Sequence, residues 1–231
     1  MITKIEAKDR YCAEHGWLTS YHLFSFAEYY DPRNMNFGVL RVFNDDKIDG
    51  ENGFGAHGHQ NMEIVTIVLK GELTHEDTMG NRKSIKAGEV QYMSAGTGVK
   101  HSEMNLSHDA VHLYQIWLTP RKNNLIPKYD QKDFSDMEKN ILVPVVSGYE
   151  DNKAIHIESE ATIYKGNFEE GKDTVYEVSM GMGVFIYVTE GILEINGIIF
   201  SKGDQARIID EKRVVIMAKE YVSFALISVA L

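Results

Sequence analysis

The feature that most limits the fold is a succession of short apolar runs separated by turns that contain glycine, asparagine or aspartate. Turn signals such as Met79-Gly80-Asn81 and Asn196-Gly197 punctuate the chain. Short strands at this spacing, without alternating helical segments, predict an all-β sandwich or barrel. The runs of strand length, rich in β-branched and aromatic residues, are Phe37–Phe43, Ile64–Leu69, Val90–Met93, Val111–Leu118, Val184–Val188, Ile192–Ile195, Val214–Met217 and Val222–Val229.

A short internal repeat indicates that the chain contains two similar units. Val68–Leu73 resembles Val188–Leu193, and Lys86–Glu89 resembles Ser201–Asp204. Each copy therefore has a strand, a glycine turn, a second strand and a turn that joins glycine to an acidic residue. The repeat predicts two similar β-barrels in tandem.

The polar segment 119–140 interrupts the rhythm of strands and contains Pro120 and Pro127. We place a domain boundary inside it, which gives an N-terminal domain of residues 1–130 and a C-terminal domain of residues 131–231. We expect a few short helices, one of them at Ser135–Asn140, where Ser135 and Glu138 have the spacing of a capping box.

Cysteine content and net charge exclude several classes of protein. The single Cys12 rules out a disulfide framework and a cysteine-based zinc site, and it suits a reducing cytoplasm. The net charge of −10 repels nucleic-acid phosphates and anionic membranes, and no run of basic residues offsets it. The opening MITKIEAKDR lacks the apolar stretch of a secretory signal, so we expect a cytoplasmic protein with no membrane or direct nucleic-acid partner.

Histidines provide the main functional signal. His57 and His59 lie two residues apart, and so do His101 and Glu103. Residues at this spacing in a β-strand project from the same face of the sheet. If the two segments face each other, three imidazole nitrogens and one carboxylate surround a single point. Such a set suits Fe(II), nickel, copper, manganese or zinc, and it leaves positions open for a reactant.

Two other residues near these pairs, Glu63 and His75, also have side chains that can bind a metal or move a proton. Glu63 follows the first pair and could be a ligand, a base, an acceptor that fixes a histidine tautomer, or a buried structural group. His75 lies beside Glu76 and Asp77, and we interpret it as a solvated turn residue.

The motifs around the histidines resemble those of the cupin superfamily and, more narrowly, of the pirin family. The cupin resemblance lies in residues 53–71 and 88–105. The pirin resemblance is strongest over residues 10–130 and rests on the following segments: His15-Gly16-Trp17-Leu18, Phe24-Ser25-Phe26, Tyr29-Tyr30-Asp31, Phe54-Gly55-x-His57-x-His59, Gln91-x-Met93-Ser94-Ala95-Gly96-Thr97-Gly98, His101-Ser102-Glu103-Met104 and His112-Leu113-x-Gln115-x-Trp117.

The pirin resemblance implies a bicupin, with two tandem β-barrels of jelly-roll type. It also implies that the N-terminal domain binds one divalent metal, usually iron, through His57, His59, His101 and Glu103. It also implies a C-terminal cupin without metal ligands, since that half keeps only His156. Gln60-Asn61 departs from the family pattern, because many pirins have a basic residue after the histidine pair.

Several bacterial pirins act as quercetin 2,3-dioxygenases, and the resemblance therefore implies a metal-dependent dioxygenase of flavonols or similar enols. Its reactants would be a small aromatic or enol compound and dioxygen. Glu103, or Glu63 if it faces the site, would take the substrate proton as general base. The alternative is a non-catalytic, redox-sensing or protein-binding regulator of pirin type. A third reading is an isomerase or sugar-binding cupin.

Overall fold

The computed structural model describes residues 1–231 and is almost entirely β-structure. Its only helical element is a 3-10 turn at Ala7–Asp9, and no helix has the length and hydropathy needed to cross a bilayer. The strands are β1 Ile2–Ile5, β2 Tyr11–Glu14, β3 Leu18–His22, β4 Leu40–Ile48, β5 Asn52–His59, β6 Glu63–Lys70, β7 Glu72–Asp77, β8 Arg82–Lys86, β9 Glu89–Ser94, β10 Val99–Asn105, β11 Val111–Leu118, β12 Lys128–Asp133, β13 Leu142–Ser147, β14 Ile155–His156, β15 Ala161–Phe168, β16 Asp173–Glu177, β17 Met182–Glu190, β18 Ile192–Ile195, β19 Ile198–Ser201, β20 Gln205–Ile208, β21 Arg213–Ala218 and β22 Val222–Ala230.

Each half of the chain forms a sandwich of one large and one small sheet. In the N-terminal half, a seven-stranded sheet of order β12-β9-β6-β11-β4-β3-β2 faces a four-stranded sheet of order β5-β10-β7-β8. In the C-terminal half, the orders are β1-β20-β17-β22-β15-β13-β14 and β16-β21-β18-β19. The all-β, bicupin expectation is confirmed, but the sheets are open at their edges, so the units are jelly-roll sandwiches and not closed barrels.

The ends of the two units interlock. Strand β1 leaves the N-terminal half and pairs with β20 of the C-terminal sheet, with Ile2 opposite Ile208. Strand β12 pairs with β9 of the N-terminal sheet along its whole length, from Lys128 to Asp133. The boundary expected at residue 130 therefore lies within β12, and the N-terminal sheet continues to Asp133.

The internal repeat corresponds to equivalent strands and turns. Gly71 follows β6 and Gly191 follows β17, and both have a positive φ, of 79° and 80°. A Cβ atom at Gly191 would lie 2.0 Å from the carbonyl oxygen of Tyr221, so only glycine fits there. The two halves therefore share their turn geometry as well as their strand order.

The largest apolar cluster lies between the two large sheets. It contains 23 buried residues, among them Phe43 and Tyr114 from the N-terminal sheet and Phe185 and Tyr187 from the C-terminal sheet. Within the C-terminal sandwich, 15 buried residues form a continuous apolar core. Within the N-terminal sandwich, the apolar clusters have only seven and three buried residues. The interior of the N-terminal sandwich therefore has room for polar groups.

The prediction of a helix at Ser135–Asn140 is wrong. These residues form turns and bends, and Asn140 has a positive φ of 62°. The side chain of Asp133 accepts the backbone N–H of Ser135 at 2.8 Å, and Ser135 packs directly against the backbone of Gly88. These tertiary contacts hold the segment in turns, and six residues are too few to oppose them with helical hydrogen bonds alone.

Candidate metal centre

The antiparallel pair β5–β10 brings the histidines together. His57 lies directly opposite His101, and His59 lies opposite Val99. Because paired residues project from the same face, the rings of His57, His59 and His101 converge on one point. Their ligand atoms all lie within 4.8 Å of one another. The same-face spacing expected from the sequence is the spacing that the strands adopt.

Hydrogen bonds fix the tautomer of each facing ring. The Nδ1 atom of His57 lies 2.8 Å from the carbonyl oxygen of Gly55 and must carry the proton, since a carbonyl only accepts. His75 donates from Nε2 to Asp77, at 2.9 Å, which leaves the Nδ1 atom of His75 as an acceptor for the Nδ1–H of His101 at 3.4 Å. His57 and His101 therefore both turn an unprotonated Nε2 atom toward the cluster.

The spacing of these two nitrogens fits a bound cation. The Nε2 atoms of His57 and His101 lie 3.0 Å apart. Two ligands at right angles, each about 2.1 Å from a metal, are separated by about 3.0 Å. Two lone pairs at this distance repel each other unless a cation lies between them. The donor set therefore fits a divalent transition metal.

Burial keeps the ligand rings neutral. Burial, with smaller contributions from the neighbouring His101 and His57, lowers the pKa of His59 to about 4. Burial, with smaller contributions from His57 and His75, lowers the pKa of His101 to about 3. At neutral pH both rings hold a free lone pair, which is the form that binds a metal.

His75 is the functional candidate that the sequence analysis misplaced. It is fully buried on β7 and not in a solvated turn, so that interpretation is wrong. Its acidic neighbour Glu76 points outward, while Asp77 lies two residues on and binds the His75 ring. Asp77 is itself held by the backbone N–H groups of Met79 and Asn81. The signal was present in the sequence, because His75 and Asp77 have the same two-residue spacing as the other pairs.

Glu103 lies next to the imidazoles but belongs to a second cluster. Its carboxylate groups with His75 and His101, and not with His57 and His59. Its Oε2 atom accepts from the Nε2–H of Gln115 at 2.7 Å, and its Oε1 atom accepts more weakly from Thr66 at 3.3 Å and Gln91 at 3.4 Å. Polar donors of the large sheet therefore hold this carboxylate in place.

The structure does not bring Glu63 to this cluster. Glu63 is completely buried at the start of β6, where its carboxylate accepts from the hydroxyl of Tyr92 and, at 2.6 Å, from that of Ser94. It also accepts the backbone N–H of Glu158 at 2.9 Å. Its oxygens are thus occupied by contacts that join the two halves of the chain.

A cavity of about 170 Å³ adjoins the imidazole cluster. His57, His59, His101 and Glu103 line it on one side, and aromatic rings line it next to them. The ring of Trp117 makes edge contacts with His59 at 4.9 Å and with Phe26 at 5.3 Å between ring centres. A partly open cavity with convergent ligands along one wall is typical of a reactive metal site.

Two jelly-roll sandwiches in tandem, with a histidine cluster and a cavity in the first of them, define a bicupin of the metal-binding class. Residues 5–118 match the Pirin family, and residues 144–229 match the quercetinase C-terminal cupin domain. The chain belongs to the pirin family.

Known relatives agree with this assignment. The chain is 42% identical over 219 residues to a quercetin 2,3-dioxygenase of Escherichia coli strain K12, which covers 94% of each chain. It is 38% identical over 220 residues to a pirin-like protein of Caulobacter vibrioides, which covers 94% of this chain and 95% of that one. The crystal structure of the bacterial pirin YhhW from Escherichia coli in complex with nickel(II) matches with a TM-score of 0.95 and 39% identity, over 100% of this chain and 99% of that one.

Proposed function

We propose that this protein is a metal-dependent dioxygenase of flavonols or similar enol compounds, with a divalent metal held by His57, His59 and His101 and by Glu103, whose carboxylate groups with His101. The observation that carries the proposal is the pair of Nε2 lone pairs, from His57 and His101, that face each other at 3.0 Å beside a partly open cavity. The relatives named quercetin 2,3-dioxygenase support the substrate class, and the nickel(II) complex of YhhW supports a divalent ion. Fe(II) is the metal we propose, with Ni(II) as the alternative.

A bound Fe(II) or Ni(II) ion would supply Lewis-acid polarisation of a chelating hydroxy-keto edge and would bring the substrate close to dioxygen. The residues of the chain would bind the ion and exclude water. The imidazoles of His57, His59 and His101 would hold the ion, and the apolar rings beside them would keep bulk water from the reacting edge.

Glu103 is the proposed general base. Its Oε2 atom is tied to Gln115 at 2.7 Å, whereas the contacts of Oε1 with Thr66 and Gln91 are 3.3 and 3.4 Å long. The Oε1 atom is therefore the one freer to take the proton of a substrate hydroxyl. Glu63 has no part in this proposal, because its carboxylate is already engaged by Tyr92, Ser94 and the backbone of Glu158.

The test is an aerobic assay of protein reconstituted with Fe(II) or Ni(II). We expect loss of the quercetin absorbance together with uptake of dioxygen in equal amounts. His101→Ala should abolish both signals, and His156→Ala, at an exposed position of the C-terminal half, should leave them unchanged. Unchanged quercetin in protein that retains its metal would overturn the oxygenase proposal. A partner captured only in one oxidation state of the metal would then favour the regulator.

A further inference from the structure

A polar row crosses five adjacent strands of the large sheet in the N-terminal sandwich, and three of its members, His22, Asn44 and Gln115, line the cavity. Strand pairing places its members directly opposite one another in the order His22, Asn44, Gln115, Thr66, Gln91. Residues paired in this way share one face of the sheet, so their side chains form a single polar stripe inside the sandwich. Such a stripe inside a sheet sandwich requires hydrogen-bond partners.

Only one half of this polar row has its partners. Gln115, Thr66 and Gln91 all bond to the carboxylate of Glu103. At the other half, the Nδ1 atom of His22 and the Oδ1 atom of Asn44 have no partner, although these side chains are only 4% and 3% exposed.

The unpartnered atoms of the whole chain concentrate at this cavity. Three buried side-chain polar atoms lack a hydrogen bond, and they belong to His22, Asn44 and Trp117. All three residues line the cavity beside the imidazole cluster. Buried polar groups in folded proteins are nearly always paired, so a shared location for all the exceptions indicates that a ligand supplies the missing bonds.

The cavity also limits the size of that ligand. Its volume is about 170 Å³, and an engineered cavity of about 150 Å³ is known to hold one benzene ring. The edges of Phe26 and Trp117 provide an apolar wall between His59 and His22. A single flat ring is therefore the part of a substrate that fits into this partly open space.

The chemistry of the three atoms defines what that ring carries. The Nε1–H of Trp117 can only donate, and the Oδ1 atom of Asn44 can only accept. Burial lowers the pKa of His22, so its ring is neutral and Nδ1 offers one donor or one acceptor. Hydroxyl groups satisfy this mixture because each of them both donates and accepts.

We propose that His22, Asn44 and the Nε1–H of Trp117 form a recognition subsite for hydroxyl groups on the ring of the substrate that enters the cavity. This inference rests on the proposed oxygenase function and deepens it. The cluster of His57, His59 and His101 would bind the chelating edge, and the open half of the polar row would select rings with additional hydroxyls. A site whose polar atoms are buried discriminates strongly against an analogue that lacks the matching groups.

The first test is anaerobic binding to the nickel(II)-loaded protein, which avoids turnover. Quercetin and 3-hydroxyflavone share the same chelating hydroxy-keto edge, but only quercetin has further hydroxyls. We expect quercetin to bind at least tenfold more tightly. Asn44→Leu and His22→Leu should each reduce this preference to about twofold or less while metal content stays constant.

A second measurement needs no ligand. Asn44→Leu removes an unpaired polar atom and should leave the melting temperature of the metal-loaded protein equal or higher. Gln115→Leu is the matched control on the same polar row; it breaks the 2.7 Å bond to Glu103 and should melt at a lower temperature.

The outcomes separate the two proposals. A quercetin preference that survives both leucine variants would overturn the subsite, as would failure of both flavonols to bind, or an Asn44→Leu melting loss equal to that of Gln115→Leu. A preference that collapses in the variants, in a protein that consumes no flavonol in air, would support the subsite and overturn the oxygenase.

Discussion

The interiors of the two sandwiches differ sharply although their strands correspond. The repeat aligns Leu73 with Leu193 and therefore His75 with Ile195. His75 pairs with Glu103 across the small sheet, and Ile195 pairs with Ile216. The equivalent of His101 is then Val214, two residues before Ile216. Where the N-terminal sandwich buries two imidazoles and a carboxylate, the C-terminal sandwich buries three aliphatic side chains.

The same contrast extends along the large sheets. Strand pairing makes the polar row of the N-terminal sandwich equivalent to a row of Pro144, Tyr164, Leu226, Ile186 and Ala206 in the C-terminal one. One copy of the scaffold is filled with apolar side chains, and the other holds ligands and a cavity. The 23 buried residues between the two large sheets add to the small apolar clusters inside the N-terminal sandwich and so contribute to its stability.

The largest expected effect on stability comes from placing a carboxylate inside the apolar C-terminal sandwich. Ile216→Glu puts an acidic group at the equivalent of Glu103 but without donors like Gln115, Thr66 and Gln91. An unpaired buried charge costs about 3–5 kcal/mol, and urea unfolding should show a loss of that size. Val215→Glu, on the same strand but 40% exposed, is the control and should change stability by less than about 0.5 kcal/mol. Equal losses in both variants would contradict the contrast.

Removing one ligand from the polar copy should abolish its function but not its fold. His101→Ala deletes the nitrogen that faces His57 and should weaken binding of Ni(II) at least about a hundredfold. Titration against a coloured chelator measures this affinity, and His156→Ala serves as the control. Retention of wild-type affinity by His101→Ala would mean that the metal binds elsewhere.

The buried pair His75–Asp77 has no counterpart at Ile195 and should tune the same site indirectly. His75→Phe keeps the volume but removes the acceptor for the Nδ1–H of His101, so the imidazole loses its fixed tautomer. We expect metal affinity to fall about 10- to 100-fold, as for other groups that orient a ligand. The control His112→Phe also breaks a His–Asp pair, at 2.6 Å from Asp45, but away from the cluster. Equal affinities in the two variants would remove His75 from the site.

The parts of this site that the sequence predicts are those that depend on local spacing. His57-x-His59 and His101-x-Glu103 reveal a shared face because a strand alternates. The polar row escapes prediction because His22, Asn44 and Gln115 become neighbours only through pairing between distant strands. Strand β12, with sequence KYDQKD, lies in the polar segment 119–140 that interrupts the rhythm of apolar runs, yet its backbone completes the edge of the N-terminal sheet.

The smallest expected effect concerns Asp46 of the N-terminal sandwich. Strand pairing makes Gly166 its equivalent in the C-terminal sandwich, and the ring of Phe224 covers that glycine. Burial raises the pKa of Asp46 to about 7; a hydrogen bond from Ser20 opposes the shift, and the charge of Asp45 adds to it. The charge of Glu103 also raises the pKa of Asp46, and that of His112 lowers it.

Because the folded state holds this proton more tightly than the unfolded chain, Asp46 stabilises the protein most below about pH 4, and this contribution is lost as pH rises toward about 7. Between pH 6 and pH 8, the free energy of unfolding of the unsubstituted protein should therefore fall by about 1.4 kcal/mol as Asp46 loses its proton. The variant Asp46→Asn should lack this fall. Urea unfolding at the two pH values measures it, with the exposed Asp136→Asn as control. An unchanged pH slope in Asp46→Asn would contradict this prediction, because it would mean that the carboxyl of Asp46 keeps one protonation state between pH 6 and pH 8.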